Sequence, residues 1–364
     1  MSANTPIIRA RKIKESSMSD TMKAGVMHAP GDIRVEEVPI PSVGPLDVLL
    51  KVAACGVCGS DIQRMNFSGA YFHPIICGHE FSGWVVELGG EVEDFALGDL
   101  VTVPPLLPCR ECESCREGSF SLCEAYDYFG SRRDGAYAQF VTVPGNNALK
   151  LPADLDPRAA AMMDPSAIAL HAILRTQLKA GMSVAVIGAG PIGLFAVQWA
   201  RLKGATSVLA VDLNEEKAQM ALKAGATLTA SSADQALSQA GRGFDVVIES
   251  AGAVASIALA VRLAARKGEV AFIGIPNRPV EFDKDTFSHF LRFEISLHGC
   301  WNSFSAPFPG LEWQQSAEKL SSGELKWEFM ITHELGLEEL PKMMKDLADR
   351  TVFSSKVLFL PNEG

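Results

Sequence analysis

The run GAGPIG at residues 188–193 stands between a short apolar stretch, SVAVI, and a segment of helical periodicity, LFAVQWARLKG. A glycine run so placed allows few folds, because the chain must leave a strand, turn sharply and enter a helix at once. Gly188 permits the tight turn, Gly190 lets the backbone approach a ligand, and Gly193 lets the helix pack closely on its strand. The helix start at Pro191 and Ile192 then presents unpaired N–H groups and a positive dipole end, a setting for a pyrophosphate. Asp212 closes the next apolar run, SVLAVD, about 20 residues on, where an acid accepts hydrogen bonds from ribose hydroxyls and repels a 2′-phosphate. The following LNEEK brings no arginine for such a phosphate, so NAD is expected over NADP. The competing reading is an ordinary glycine turn with a surface aspartate. Strand before and helix after weigh against it.

Around this motif the chain alternates strand and helix. SVAVIG, SVLAVD, FDVVIES and EVAFIGIP read as strands, and PIGLFAVQWARLKG, NEEKAQMALKAG and VASIALAVRLAARKG as helices. That alternation predicts an α/β doubly wound parallel sheet of the Rossmann kind over residues 166–302. Residues 22–165 have another texture: short β-like runs (DVLLKVAA, FSGWVVELG, DLVTVP, YAQFVTVP) broken by Gly and Pro. They predict a mostly-β domain. In 303–364 a helix (LEELPKMMKDLADR) and a strand (SSKVLFLP) are expected to return the chain to that domain. Residues 1–21 are polar and basic, and are expected to form a disordered extension, with a targeting arm as the less favoured reading.

Charge excludes two classes of partner. A formal net charge of −10 argues against nucleic acid and against an anionic membrane surface. No apolar run approaches the roughly 20 residues of a membrane span. A reducing, cytoplasmic setting is expected from cysteines spaced for metal rather than for disulfides.

Two metal constellations stand out. Cys109, Cys112, Cys115 and Cys123 fall in CRECESCREGSFSLC, spaced so that four thiolates can close on one tetrahedral zinc, a structural site with no open position. Upstream, Cys58 lies in GVCGSD, and His79 with Glu80 in CGHEFSG. A thiolate, an imidazole and a carboxylate can hold zinc and leave a position free for chemistry. Asp61 is placed to orient the His79 imidazole, and Ser60 to take a substrate proton. The remaining cysteines and histidines are isolated and read as core or surface residues.

With GVCGSD, GHEFSG, the four-cysteine lobe and GAGPIG–Asp212 together, residues 22–364 resemble the zinc-dependent medium-chain dehydrogenase/reductase superfamily. The resemblance implies a GroES-like fold for the first domain. It also implies two zinc ions per chain, one catalytic on Cys58 and His79 and one structural, and a homodimer or homotetramer. In that family the glutamate after the histidine, here Glu80, alternates between ligand and supporting group. The polyol-dehydrogenase branch carries a third ligand as a glutamate before a proline, and here Asp164 takes its place in MDPSAIALHA. Asp164 and Glu80 are both open as third ligand. Gln63 stands where relatives often carry a proton-relay histidine, so a relay would start from Ser60.

PPLLPCRECESC, YFGSRRDGAYAQF and HGCWNSFSAPFPGLEWQ are similar to the sugar-alcohol phosphate dehydrogenases of this superfamily. The resemblance implies a small-molecule polyol phosphate as substrate, oxidised at a secondary hydroxyl with NAD. Arg132 and Arg133 are the candidate phosphate receptors, since guanidinium matches phosphate bidentately; a solvated surface pair is the other reading. Trp301 and Asn302 are candidates to line a substrate pocket, or else simply pack. The rival activities are a pentitol-phosphate or free-polyol dehydrogenase of sorbitol or xylitol type and, further off, a threonine-dehydrogenase-like enzyme. A catalytically silent NAD- or zinc-binding protein is the rival from another class.

Overall fold

The computed structural model describes residues 11–12 and 20–363, so the expectation for the N-terminal extension falls largely outside the described residues. The chain divides into two compact units. One comprises Met1–Met163, Ala306–Pro309 and Ile331–Gly364; the other comprises Asp164–Ser305 and Gly310–Met330.

In the second unit the apolar runs become six parallel strands: Ser183–Ile187, Ser207–Val211, Leu228–Ala230, Phe244–Glu249, Ala264–Phe272 and Ser296–Gly299. Numbered in chain order within the sheet, their spatial order is 3-2-1-4-5-6, so the strand order reverses beside Ser183–Ile187. That strand pairs in parallel with both neighbours, Ile187 opposite Val211 on one side and Glu249 on the other. Strands buried on both faces read as continuous apolar runs, which is why Ala185, Ile187, Leu209, Val247 and Val270 share one core. Helix Pro191–Leu202 begins with Pro at its first turn, where a missing N–H costs nothing. Helix Glu215–Lys223 is capped by the Asn214 side chain, which accepts from Lys217 N.

Two expectations shift here. The helix over VASIALAVRLAARKG ends at Leu263, because Ala264 pairs with Phe244 and the strand Ala264–Phe272 starts there with a register irregularity. Residues 310–330, expected to return to the first domain, belong to the second unit. Helix Leu311–Ser321 buries Trp313 completely, and its Ser316 hydroxyl lies 2.9 Å from that of Ser166. His171 Nδ1 stands 2.7 Å from Glu312 Oε1 on the same face.

The first unit is built on antiparallel β-structure, as the Gly- and Pro-broken runs imply. Among the described residues its largest sheet has eight strands. Asp47–Gly56 lies at its middle, paired antiparallel with Glu80–Leu88, Phe140–Pro144 and the final strand Lys356–Phe359. Lys356–Phe359 in turn runs parallel to Ile331–Leu335. A hairpin of Thr21–Ala29 and Asp32–Pro39 turns through Gly31, whose φ of 81° suits glycine. Phe81, Phe129, Tyr137, Leu340 and Phe359 are among the buried side chains of the common core. No helix among the described residues is long and apolar enough to cross a membrane.

Candidate active site and metal centres

The strand Asp47–Gly56 delivers the chain to Cys58, which caps the short helix Gly59–Gln63, while His79 and Glu80 open the neighbouring strand Glu80–Leu88. Cys55 pairs with Phe81 and Gly56 with Glu80, so that register brings the two motifs together. One ligand atom each from Cys58, His79 and Glu80 lies within 4.8 Å of the others. Soft thiolate, imidazole and a hard carboxylate suit zinc in a site with room for a further ligand. Ser60 is exposed on the helix, two residues on from Cys58.

Behind this cluster sits Asp61, completely buried. Its Oδ1 is 3.1 Å from His79 Nδ1 and accepts from Arg64 Nη1 at 3.2 Å. Its Oδ2 accepts from Cys58 N at 3.1 Å and from the Tyr137 hydroxyl at 3.0 Å. Burial alone would raise the carboxyl, but His79, by charge and hydrogen bond, together with Arg64 and the Cys58 N–H holds Asp61 below its usual range. Burial would likewise keep His79 neutral, yet the Asp61 charge pushes the imidazole up to about 10. Burial would raise the Cys58 thiol, but the adjoining His79 and Ser60 side chains together hold it below its usual value. With Nδ1 committed to Asp61, Nε2 is the nitrogen left to face Cys58, and a metal there would displace its proton.

Glu80 has a partner that reading the motifs alone missed. Its Oε2 accepts from Lys356 Nζ, and both side chains are buried. Lys356 Nζ also donates to Val57 O at 3.2 Å. Burial pulls the Lys356 ammonium down to about 8, even though the Cys58 and Asp61 charges oppose the shift. The available signal was a lone lysine heading a strand whose other residues are all apolar, since a buried cation needs an anionic partner. Asp164, the other candidate third ligand, belongs to the second unit, where it is buried in the first turn of helix Met163–Leu174.

The sulfurs of Cys109, Cys112, Cys115 and Cys123 all lie within 4.8 Å of one another, with Cys109–Cys115 and Cys112–Cys123 each at 3.9 Å. Zinc–sulfur bonds of about 2.3 Å arranged tetrahedrally set sulfur–sulfur edges of about 3.8 Å. None of the four is in a disulfide. The N–H of Cys109 donates to Cys123 Sγ at 3.2 Å and that of Cys112 to Cys109 Sγ at 3.4 Å. Backbone N–H groups of Glu111 and Cys112 pull the Cys109 thiol down to about 7, favouring the thiolate a metal takes.

At the glycine run each residue has its own reason. Gly188 has φ 93°, in the left-handed region. A Cβ on Gly193 would stand 1.8 Å from Gly188 O, whereas a Cβ on Gly190 would meet nothing within 4 Å. Gly190 therefore leaves open space beside the start of helix Pro191–Leu202, the place a pyrophosphate would take. Asp212 Oδ2 accepts from Ala189 N at 2.8 Å and Oδ1 from Asn214 N at 3.0 Å. Both oxygens keep lone pairs for ribose hydroxyls.

The remaining predicted residues divide. Arg133 Nε faces Asp127 Oδ2 at 3.6 Å, while Arg132 lies between the rings of Tyr71 and Tyr126. Trp301 is 44% exposed, and Asn302 has φ 55° with a buried Nδ2 that finds no acceptor among the described residues. Gln63 is exposed at the end of its helix.

Residues 44–153 match the family model described as alcohol dehydrogenase GroES-like domain, and 191–320 that described as zinc-binding dehydrogenase. The chain is 36% identical over 347 residues to galactitol 1-phosphate 5-dehydrogenase of Escherichia coli K12, spanning 93% of this chain and all of that protein. It is 31% identical to sorbitol dehydrogenase of Bacillus subtilis over 95% of this chain and 99% of the relative. Against L-threonine 3-dehydrogenase of the same species it is 33% identical, over 89% and 94%. The crystal structure of the E. coli galactitol-1-phosphate dehydrogenase superposes with a TM-score of 0.89 at 36% identity, over 93% of this chain and all of the other. A zinc-binding dehydrogenase structure from Sinorhizobium meliloti 1021 bound to NADP gives 0.87 at 35% identity, over 94% and 100%.

Proposed function

Because the chain belongs to the zinc-dependent medium-chain alcohol dehydrogenase family, we propose that it oxidises a secondary hydroxyl of a sugar-alcohol phosphate, galactitol 1-phosphate to tagatose 6-phosphate, with NAD. The observation that carries the reaction class is the gathering of Cys58, His79 and Glu80, with Asp61 held behind the imidazole. Cys58, His79 and a carboxylate would hold a zinc ion there, which would supply the Lewis acidity that lowers the pKa of the substrate hydroxyl, and a nicotinamide would supply the hydride acceptor.

The chain's own residues do the rest. Asp61 fixes the His79 tautomer and ring plane. Ser60, exposed beside Cys58, takes the proton from the substrate hydroxyl and passes it outward. Lys356 holds Oε2 of Glu80, so Glu80 would be a zinc-holding carboxylate fixed from behind, and Asp164 is the alternative carboxylate. Gly190 and the helix start at Pro191 receive the pyrophosphate. Asp212 accepts from the adenosine ribose and disfavours a 2′-phosphate, which supports NAD over NADP. The four-cysteine lobe holds a second, structural zinc. The edge strand Ser296–Gly299, with exposed Leu297 and nearby exposed Ile275, supports a homodimer. Eight free cysteines support a cytoplasmic setting.

The test is reduced-cofactor production from paired free and phosphorylated polyols, with sorbitol and L-threonine included, each with NAD and with NADP, before and after chelation. Galactitol 1-phosphate with NAD is expected to give the highest kcat/KM, and chelation to abolish it. Faster turnover of free sorbitol or of L-threonine would overturn the substrate. Full activity after complete metal loss would overturn the mechanism.

A further inference from the structure

The two adjacent arginines at 132 and 133 are held in different ways. Arg133 has a carboxylate partner, Asp127, and covers the Phe129 ring at 5.2 Å. Arg132 has no carboxylate within 4 Å among the described residues. Its guanidinium carbon stands 4.3 Å from the ring centroid of Tyr71 and 4.3 Å from that of Tyr126. Two aromatic rings therefore lie against the cation. A guanidinium so clamped can offer hydrogen bonds only in its own plane.

Those in-plane donors are under-used. Nη2 donates to the Tyr71 hydroxyl at 3.1 Å and Nη1 to Tyr126 O at 3.4 Å. Nε is buried and meets no acceptor. A guanidinium carries five N–H donors in a fixed fork, so this one is rigid, charged and short of anionic acceptors. Arginine used only for packing is ordinarily paired with a carboxylate or spread into water. Here the hydrogen bond from Nη2 is made to a tyrosine that is itself 70% exposed, so this end of the cation lies at the protein surface.

The clamp is also joined to the candidate metal site within the first unit. Tyr126 meets Tyr128 edge to face with centroids 6.3 Å apart, and Tyr128 meets the His79 ring in the same way at 5.6 Å. Three successive ring contacts thus lead from a candidate zinc ligand to the Arg132 fork. We infer that Arg132, clamped between Tyr71 and Tyr126, is the receptor for the phosphate of the substrate, and that Arg133 is not. This rests on the substrate being a phosphorylated polyol and adds the residue that reads the phosphate. Specificity follows from the geometry: a free polyol brings no charge for the fork, and its binding does not use Arg132.

The test compares the wild-type enzyme with Arg132→Gln, Arg132→Lys, Arg133→Gln and Tyr71→Leu on galactitol 1-phosphate and on galactitol. Titration with inorganic phosphate, followed by calorimetry, is run in parallel. Arg132→Gln is expected to lower kcat/KM on the phosphorylated substrate by about 10- to 100-fold, the loss of one charge-assisted hydrogen-bonded pair. The loss should appear in KM rather than kcat, with turnover of free galactitol unchanged. Arg132→Lys, which keeps the charge without the fork, and Tyr71→Leu, which loosens the clamp, are expected to give smaller losses on the phosphorylated substrate alone. Arg133→Gln should behave as wild type. Phosphate binding should be present in the wild type and absent in Arg132→Gln. Equal losses on both substrates, a selective loss in Arg133→Gln, or phosphate binding that survives Arg132→Gln would each overturn the assignment. If the wild type prefers free polyols while phosphate binding still requires Arg132, the receptor stands and the substrate reading falls.

Discussion

Four groups converge on the Asp61 carboxylate: the His79 imidazole, the Arg64 guanidinium, the Cys58 N–H and the Tyr137 hydroxyl. Asparagine at 61 would present an amide N–H where one of these donors needs an acceptor. Asp61→Asn is therefore expected to lower kcat/KM and zinc affinity by about 10- to 100-fold, the usual effect of removing a group that orients a metal ligand. Metal analysis after dialysis, beside steady-state kinetics, checks this; full metal content and full activity would refute it. Tyr137→Phe removes a hydroxyl shared between Asp61 Oδ2 and Gly56 O and should cost about 1 kcal/mol of stability with zinc retained. Metal analysis also separates the two carboxylates. If Glu80 is the ligand, Glu80→Gln loses the catalytic zinc and Asp164→Asn keeps it, and the reverse outcome would favour Asp164. Asp61, His79 and Cys58 were legible in the sequence because each sits in a short motif with its chemistry beside it. Arg64, Tyr137 and Lys356 were not, because what gives each its role is a partner or a burial that only the folded sheet supplies.

A strand, its turn and the following helix make a unit in which three glycines answer to three different constraints. Gly190→Ala adds a methyl group to open space, so the protein should unfold at an unchanged temperature. NADH affinity should still fall by tenfold or more if, as proposed, that space receives the pyrophosphate. Gly193→Ala drives a methyl group into Gly188 O and should lower both the unfolding temperature and the affinity. Thermal unfolding together with NADH fluorescence titration distinguishes them, and two identical outcomes would contradict the assignment.

At the end of strand Phe244–Glu249, Glu249 is fully buried and accepts at Oε1 from Ala251 N, Gly252 N and Ser256 Oγ. Burial raises its pKa more than these hydrogen bonds lower it. The folded state then holds the proton more tightly than the unfolded state. Its contribution to stability accordingly grows as pH falls toward the unfolded value of about 4.3 and is lost as pH rises. Urea unfolding of wild type and Glu249→Gln between pH 7 and 5 should show their difference moving in favour of wild type on acidification. A constant difference would rule this out. The sheet itself was readable where strands are buried on both sides. Leu228–Ala230 is only three residues, and Ser296–Gly299 is largely exposed, so neither showed an apolar run. The Ala-rich stretch after Leu263 has helical propensity, and sheet pairing overrode it.

For the whole molecule, the proposed homodimer would form through the edge strand Ser296–Gly299, where Leu297 is exposed. Leu297→Lys should shift sedimentation toward the monomer; an unchanged assembly would place the interface elsewhere. The two-part architecture was legible from the change in texture near residue 165. The placement of 310–330 was not, because the face of Trp313, Ser316 and Leu320 reads as amphipathic without saying what it covers. The central sheet of the first unit seats Lys356–Phe359 between Asp47–Gly56 and Ile331–Leu335, and Lys356 closes on Glu80. Synthesis proceeds from the N-terminus, so the second unit emerges almost in one piece, while the first waits with a gap in its sheet. Until the last strand leaves the ribosome, Glu80 has no counter-cation and two sheet edges stand unpaired. The Cys58–His79–Glu80 cluster thus gains Lys356 only after the second unit has emerged, and a nascent chain stalled short of residue 356 would carry its metal-binding motifs on an unfinished scaffold.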